Sequence, residues 1–422
     1  MTKLFSTLSP TKRARRTLMS NLVATAGWLL AMGTALPANN AYAQGSTAPL
    51  KIGVLNDMSG IVIDLAGPGS VVAAKLAVED FGSKVIGRPI QLLEADHLNK
   101  ADTGLTIARQ WYDNDVRAIF DIGITTVALG IQDLAREKNR IAVYNSSASS
   151  DITGKNCSPN GIHWTYNTYS QALGAIKGAL NAGGKTWYFI TVDYGYGKNV
   201  QRDATAIIEK GGGKVIGSTT HPFSATDFSS QLLQAQASKA DVIALATTTA
   251  HAAAMIKQAD EFGLRARGQK LAALSLVIND VKAMGLRPAQ DLFVTEAYYW
   301  DQNEETRKFA NRYRERFGGR MPNMVQASVY GAVTHYLKAV AAAGTDETAA
   351  VLAKMKSTPI NDFMTKNGVI REDGRVLRDF YIFRVKKPSE SKGEWDLYSE
   401  VSKIPAAEAF APADKQVCSL VK

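Results

Sequence analysis

From Leu50 onward the chain alternates short apolar, β-branched segments with amphipathic helical patterns, and this alternation constrains the fold more than any other feature. Each short segment is followed by a polar loop and then by a helical period, which is the order of elements in successive βαβ units. Such units form parallel sheets with helices on both faces. The sequence therefore predicts an α/β protein.

The alternation occurs in two blocks, separated by a loop rich in Ser, Asn, Gly and Pro at residues 145–161. In the first block we predict strands at 51–56, 90–96, 118–123 and 141–144, and helices at 69–81, 103–112 and 127–138. In the second we predict strands at 187–193, 214–220, 241–246, 271–276 and 292–298, and helices at 172–181, 200–210, 229–237 and 252–262. Two long helices without an intervening strand are predicted at 304–317 and 326–343, and two final strands at 379–385 and 395–401.

The first 43 residues have the pattern of an export signal. An uncharged apolar run from Leu22 to Leu36 precedes the small-x-small sequence Ala41-Tyr42-Ala43. The basic residues of the start are Lys3, Lys12, Arg13, Arg15 and Arg16. A membrane-spanning helix needs about 20 apolar residues, and this run is shorter. We expect a signal peptide at residues 1–43, cleavage after Ala43 and a periplasmic mature protein. Both general secretion and twin-arginine export remain open.

Removal of this segment leaves 379 residues and lowers the formal net charge from +10 to +5. A chain of that length predicts two domains. Its Lys and Arg residues are scattered and no nucleic-acid motif is present, so we expect no nucleic-acid partner. The two cysteines, Cys157 and Cys418, are expected to pair as a disulfide in an oxidising compartment. Two unpaired buried thiols are the alternative.

No pattern in the chain predicts catalysis, a metal site or a cofactor. There is no G-x-S-x-G sequence to hold a nucleophile, and the five histidines lack the spacing of metal ligands. Gly67-Pro68-Gly69 is a weak match to a dinucleotide-binding loop, because Val72 stands where a third glycine is required. We therefore predict no catalytic residues, no metal and no cofactor.

The loops at the predicted carboxyl ends of strands instead carry hydroxyl and aromatic side chains. In an open parallel sheet these strand ends line the ligand crevice. Hydroxyls and backbone N–H groups at helix starts favour an anion, although Ser and Thr are also common helix caps. The candidate ligand-binding residues are Thr125, Thr126, Ser146, Ser147, Ala148, Tyr169, Tyr194, Tyr196 and Thr248.

Several segments together resemble the periplasmic substrate-binding proteins of ABC transporters of the leucine/isoleucine/valine-binding type. They are KIGVLNDMSG at 51–60, AVED at 77–80, SSASSDIT at 146–153, DYGYG at 193–197 and QADEFGL at 258–264. The resemblance covers residues 50–400. It implies a type I periplasmic binding protein, with two doubly wound parallel-sheet lobes joined by a three-strand hinge. The N-terminal lobe would comprise 50–164 and 299–365, the C-terminal lobe 166–295 and 378–402, and a C-terminal tail 403–422.

The resemblance also implies roles for particular residues. Thr125 or Thr126 and the loop at 146–148 would bind the ligand carboxylate, and Tyr194 and Thr248 would contact the ligand from the second lobe. The chain departs from the amino-acid-binding pattern at two points. Leu65 replaces a family tyrosine, and the segment Ala273-Leu274-Ser275-Leu276 replaces a glutamate that holds the ligand ammonium. Asp280 is an alternative ammonium partner or a helix cap.

The implied function is a non-catalytic receptor that binds a small carboxylate, either a branched-chain amino acid or an aromatic acid. It would act as a monomer and deliver the ligand to an ABC permease in the inner membrane. A ligand-binding sensor with the same fold is one alternative, because sequence does not separate sensing from transport. An exported α/β enzyme acting on a similar acid is the other, although no nucleophile, metal set or cofactor loop supports it.

Overall fold

The computed structural model describes residues 48–414 and 416–422. The predicted signal peptide and its cleavage point therefore lie outside the described residues. Within the described part of the chain, no helix is long and apolar enough to cross a membrane.

The first block forms a six-stranded sheet with the order β2-β3-β1-β4-β5-β6. All neighbours pair in parallel except β2 with β3. The strands are β1 (Leu50–Asn56), β2 (Lys84–Val85), β3 (Arg88–Asp96), β4 (Val116–Phe120), β5 (Ile141–Tyr144) and β6 (Gly161–His163). The helices between them are α1 (Gly67–Phe81), α2 (Ala101–Asp113) and α3 (Thr125–Glu137).

The second block forms a four-stranded parallel sheet with the order β10-β9-β7-β8. Its strands are β7 (Thr186–Val192), β8 (Lys214–His221), β9 (Val242–Ala246) and β10 (Lys270–Ala273). Its helices are α4 (Thr168–Asn181), α5 (Gly195–Lys210), α6 (Ser229–Ala237), α7 (Thr249–Glu261), α8 (Ile278–Met284) and α9 (Leu286–Ala289). The central strand β9 is buried along its whole length.

The rest of the chain returns to both blocks. The helices α10 (Glu304–Arg316), α11 (Met324–Ala343) and α12 (Thr348–Ser357) follow the strand β11 (Phe293–Glu296), and α11 packs against α1 of the first block. The later elements are β12 (Val369–Ile370), β13 (Val376–Leu377), β14 (Phe380–Val385), β15 (Tyr398–Ile404) and α13 (Ala406–Ala409). An antiparallel sheet of order β11-β14-β15 packs on α4 of the second block. We call the two bodies built on the six-stranded and four-stranded sheets the first and second lobes.

The predicted α/β class is confirmed, and the differences concern boundaries and small elements. The strand predicted at 271–276 ends at Ala273, so residues 274–276 leave the sheet. The last strand spans Tyr398–Ile404 rather than 395–401. The elements β2, β6, α8 and α12 were not predicted, because short or weakly periodic segments give little signal. Several helices begin earlier than their apolar period suggests, among them α3, α5 and α7.

A disulfide joins Cys157 to Cys418, with their Cα atoms 5.8 Å apart. Cys157 lies in the loop between β5 and β6, and Cys418 lies near the end of the chain. The bond therefore ties the C-terminal segment to the first lobe. The same segment is also held by Phe410, whose ring packs edge-on against Phe380 with the ring centroids 5.7 Å apart.

Candidate ligand-binding site

A cavity lies between the two lobes at the carboxyl ends of their parallel strands. It encloses about 550 Å³ of space that is free of protein atoms, part of it open to solvent. Residues from the first lobe that line it are Val62, Leu65, Gly123, Ile124, Thr125, Ser146, Ser147 and Ala148. The other lining residues are Tyr166, Tyr194, Tyr196, Phe223, Thr248, Thr249 and Ser275.

One wall of the cavity is the turn between β4 and α3. Thr125 is the first residue of α3, so its backbone N–H has no acceptor within the helix. The turn is strained, because Asp121 and Ile124 have φ angles of 58° and 30°. Such conformations cost about 1–3 kcal/mol for residues other than glycine, and they cluster at functional sites. Ser146 Oγ donates a hydrogen bond of 3.1 Å to the Asp121 carbonyl, which holds the turn against the next loop.

The loop after β5 lines the cavity, and its carbonyls are engaged by other residues. The Ser146 carbonyl accepts a hydrogen bond from Tyr166 Oη at 3.0 Å, and the Ser147 carbonyl accepts one from His163 Nε2 at 2.7 Å. Among the described residues, no acceptor pairs with the backbone N–H of Ser147 or Ala148, or with Ser147 Oγ. These groups and Thr125 form a wall of donors suited to a carboxylate.

The second lobe supplies the aromatic wall. Tyr194 precedes α5 and its Oη lies 3.2 Å from Thr126 N and 3.1 Å from Thr126 Oγ1, so it bridges the lobes. The Tyr194 ring lies 5.6 Å from that of Phe223, measured between ring centroids. Tyr196 Oη accepts a hydrogen bond of 2.6 Å from Gln171 Nε2, and Ser275 also bonds to it. Burial raises the pKa of Tyr196, so the phenol stays protonated.

Seven of the nine candidate ligand-binding residues line this one cavity: Thr125, Ser146, Ser147, Ala148, Tyr194, Tyr196 and Thr248. Thr126 does not line the cavity and contacts Tyr194. Tyr169 is not among the residues that line this cavity. Asn167 caps α4, and this places Tyr169 in the first turn on the side of Asp203 and Glu408.

Sequence reasoning missed several lining residues. Tyr166 and Gly123 gave no signal, since neither belongs to a hydroxyl cluster. Phe223 follows the carboxyl end of β8 and Thr249 ends the threonine run at 247–249, so both were detectable in principle. The sequence marks the segment 273–276 only as the place where the family glutamate is absent. Within that segment, Ser275 lines the cavity.

None of the lining residues carries a charge, and burial raises the pKa values of the two acids behind the second-lobe wall, Asp280 and Glu296. The Asp280 carboxyl accepts a hydrogen bond of 2.9 Å from Val277 N and caps α8, and it also bonds to Thr249. Burial raises its pKa to about 7. Burial also raises the pKa of Glu296, although a hydrogen bond from the Ile278 backbone opposes that shift. Among the described residues, the second lobe therefore places no carboxylate side chain in the lining of the cavity.

Replacing Asp280 with Asn is expected to flatten the pH dependence of stability. The folded state keeps the Asp280 proton up to about pH 7, whereas an unfolded aspartate releases it near its ordinary pKa of 3.8. The stabilising contribution is therefore complete at low pH and is lost as pH rises through 7. We expect wild type to lose about 2 kcal/mol between pH 5 and 7 from this group, and Asp280→Asn to lose none of it.

Chemical denaturation of the ligand-free protein at pH 5, 6 and 7 measures this difference. Asp133→Asn is the matched control, because the Asp133 side chain is 73% exposed. That variant should follow the wild-type pH profile. Parallel profiles for wild type and Asp280→Asn would show that Asp280 is already ionised at pH 5.

No base among the described residues is positioned to activate Ser147. The His163 ring bonds to the Ser147 carbonyl and not to the hydroxyl, so it does not activate that serine. No three or more His, Cys, Asp or Glu side chains in the described ranges converge as they would around a metal ion.

Comparison with known proteins agrees with this description. A family model for periplasmic binding proteins matches residues 49–394. A solved periplasmic binding protein from Burkholderia mallei is 41% identical, with 89% of this chain and 99% of that chain covered and a TM-score of 0.85. A branched chain amino acid ABC transporter periplasmic ligand-binding protein from Burkholderia xenovorans LB400 is 40% identical, with 86% and 97% covered and a TM-score of 0.78.

A more distant structure shares the fold. It is a solute binding protein of an ABC transporter from Rhodopseudomonas palustris BisB5 in complex with 3,4-dihydroxy benzoic acid. It is 22% identical, with 86% of this chain and 98% of that chain covered and a TM-score of 0.77. No curated protein matches the chain. The family model and the two relatives at 40% and 41% identity confirm the resemblance, and the chain belongs to the periplasmic binding proteins of ABC transporters.

Proposed function

We propose that this receptor binds a small carboxylic acid that carries no ammonium group, and that an aromatic acid such as benzoate fits best. The observation that supports this is the asymmetry of the cavity. The first lobe offers a wall of hydrogen-bond donors at Thr125, Ser147 and Ala148, whereas the second lobe offers phenol, hydroxyl and phenyl groups without a carboxylate.

The carboxylate would accept hydrogen bonds from the donors of the first lobe. A charge-assisted hydrogen bond of this kind contributes about 1.5–3 kcal/mol. The apolar body would lie between the rings of Tyr194, Tyr196 and Phe223, where offset or edge-on packing between aromatic groups adds about 0.5–1.5 kcal/mol. The Rhodopseudomonas palustris protein that holds 3,4-dihydroxy benzoic acid indicates that the fold accommodates such acids.

A branched-chain amino acid is the second candidate, because the Burkholderia xenovorans relative is described as a receptor of that class. Its ammonium group would need an ionised partner in the cavity. Ser275 provides only a hydroxyl, and Asp280 lies behind Thr249 with its carboxyl engaged at Val277 N. Burying an ammonium without a paired carboxylate is costly, and this cost favours the aromatic acid.

Isothermal titration calorimetry with benzoate, 4-hydroxybenzoate, leucine, isoleucine and valine tests the proposal. We expect the two benzoates to bind at least 100-fold more tightly than the amino acids. This is the factor expected when the ammonium group of an amino acid is buried without a charged partner. Ser147→Ala should weaken benzoate binding roughly 10- to 100-fold through the lost hydrogen bond. Tyr169→Phe is the matched control and should bind like wild type. Tight binding of leucine with no binding of benzoate would overturn the proposal.

The same architecture supports a receptor that closes around its ligand and releases it unchanged. The lobes would comprise 50–164 with 299–365 and 166–295 with 378–402, and ligand would favour the closed state through its contacts with both. The Tyr194–Thr126 contact would form on closure.

We further propose a monomer that docks on a membrane permease after export and cleavage at Ala43. An intact mass that corresponds to a chain beginning at Gln44 would support the cleavage. The absence of benzoate turnover would support the non-catalytic role.

A further inference from the structure

His97 is a fully buried histidine immediately after β3, and nothing in the ligand wall described above accounts for it. Its Nδ1 accepts a hydrogen bond of 3.1 Å from the backbone N–H of Asn99. An accepting Nδ1 carries no proton, so in the neutral ring the proton sits on Nε2. His97 therefore presents an N–H donor from Nε2.

That donor has no acceptor among the described residues. By contrast, both ring nitrogens of His221 are engaged, at 2.9 Å from the Pro222 carbonyl and 2.9 Å from Thr247 Oγ1. A buried donor left without an acceptor costs about as much as a lost hydrogen bond, and such groups usually have a water or ligand partner.

The unpaired nitrogen lies directly behind the donor wall of the cavity. A methyl group added to Gly123 would lie 3.0 Å from His97 Nε2 and 3.5 Å from Ser146 Oγ. Gly123 and Ser146 both line the cavity. The absence of a side chain at Gly123 thus leaves a space between the imidazole and the serine hydroxyl in which one oxygen atom would reach both.

The turn that carries His97 is strained and tied to the cavity rim. Leu98 and Asn99 have φ angles of 53° and 54°, a backbone conformation that residues other than glycine adopt uncommonly. Asn99 Nδ2 donates a hydrogen bond of 2.7 Å to Asp57, and Asp57 accepts another of 2.9 Å from the backbone N–H of Val62, which lines the cavity. Strain of this kind is retained where the surrounding structure positions a group for a purpose.

We propose that the His97 Nε2–H group donates a hydrogen bond to the anion bound in the cavity, either directly or through one water molecule beside Gly123 and Ser146. This inference rests on the proposed carboxylate-binding function and adds a ligand-binding residue to it. Burial lowers the pKa of His97 to about 4, although the nearby Asp57 and Asp96 oppose that shift. The ring is therefore neutral near pH 7 and acts as a donor without adding charge.

Calorimetry with benzoate and its neutral isostere benzamide tests this role in the mature protein. His97→Leu removes the donor, and we expect benzoate affinity to fall roughly tenfold or more while benzamide affinity changes much less, because hydrogen bonds to a charged acceptor are the stronger ones. His97→Gln keeps an N–H donor at a similar reach and should stay within about threefold of wild type. His335→Leu is a control for the loss of a buried histidine, since His335 Nε2 bonds to the Met355 carbonyl.

A second readout does not depend on a variant that folds well. In ¹⁵N-labelled wild type, the Nε2–H resonance of His97 should shift and exchange more slowly when benzoate is added. If His97→Leu weakens benzoate and benzamide equally and the Nε2–H resonance is unmoved, the inference is overturned while carboxylate binding stands. If wild type binds no carboxylate at all, the proposed function fails and this inference fails with it.

Discussion

Removal of the Cys157–Cys418 disulfide is expected to lower the free energy of unfolding by about 4 kcal/mol. The two cysteines are separated by 261 positions in the sequence, so the bond closes a loop that contains the second lobe and the helices α10 to α12, whereas β1 to β5 lie outside it. Chain-entropy arithmetic gives about 5 kcal/mol for a loop of this length, and measured values are commonly 2–4 kcal/mol. The bond stabilises chiefly by restricting the unfolded chain, so benzoate affinity should change little.

Guanidinium denaturation of the double variant Cys157→Ala/Cys418→Ala measures this effect. Wild type treated with dithiothreitol should approach the stability of the variant, and the same treatment should leave the variant unchanged. The C-terminal segment has contacts besides the disulfide, because Phe410 packs on Phe380 and the Arg375 guanidinium lies 4.6 Å from the Phe410 ring centroid. If the variant lost less than about 1 kcal/mol, these contacts alone would hold the segment.

The parallel strand arrangement within each lobe was predictable, because the sequence pattern that causes it is local. β-branched runs alternate with helical periods, and parallel strands joined by helices leave their carboxyl ends on one edge. That rule predicts Thr125 and Ser147 at one edge of the first sheet, whereas the approach of Thr248 from the second sheet was implied by the family resemblance. The wall of donors was therefore accessible to sequence reasoning before any coordinates.

The remainder of the site depends on contacts between distant segments. The first turns of α3, α5 and α7 lie outside the predicted helices, because Thr125, Gly195 and Thr249 precede the apolar period by which a helix is recognised. The direction in which Tyr169 points depends on the rotation of α4 about its axis, which is set by packing against α5 and β11. The sequence shows only that His97 lacks the spacing of a metal ligand, since the fold alone brings its ring beside Gly123.

Ser275→Glu is expected to weaken benzoate binding at least 100-fold. Ser275 lines the cavity and bonds to Tyr196, so a glutamate there would place a second negative charge near the bound carboxylate. In the part of the chain that the structure describes, no cationic side chain lines the cavity to pair with it. An unpaired buried charge costs about 3–5 kcal/mol, which exceeds the contribution of any single hydrogen bond in the site. Ser275→Gln has the same length without the charge and should lose no more than about tenfold.

The two variants also test the ligand class. If the wild-type receptor lacks only the ammonium partner, Ser275→Glu should acquire measurable leucine binding and Ser275→Gln should not, because only the carboxylate pairs with the ammonium group. Benzoate affinity of Ser275→Glu should recover as pH falls from 7.5 to 5, since protonation removes the introduced charge. Calorimetry at both pH values, with circular dichroism to confirm folding, measures these effects. Unchanged benzoate binding by folded Ser275→Glu would mean that the acid does not lie between the donor wall and Tyr196.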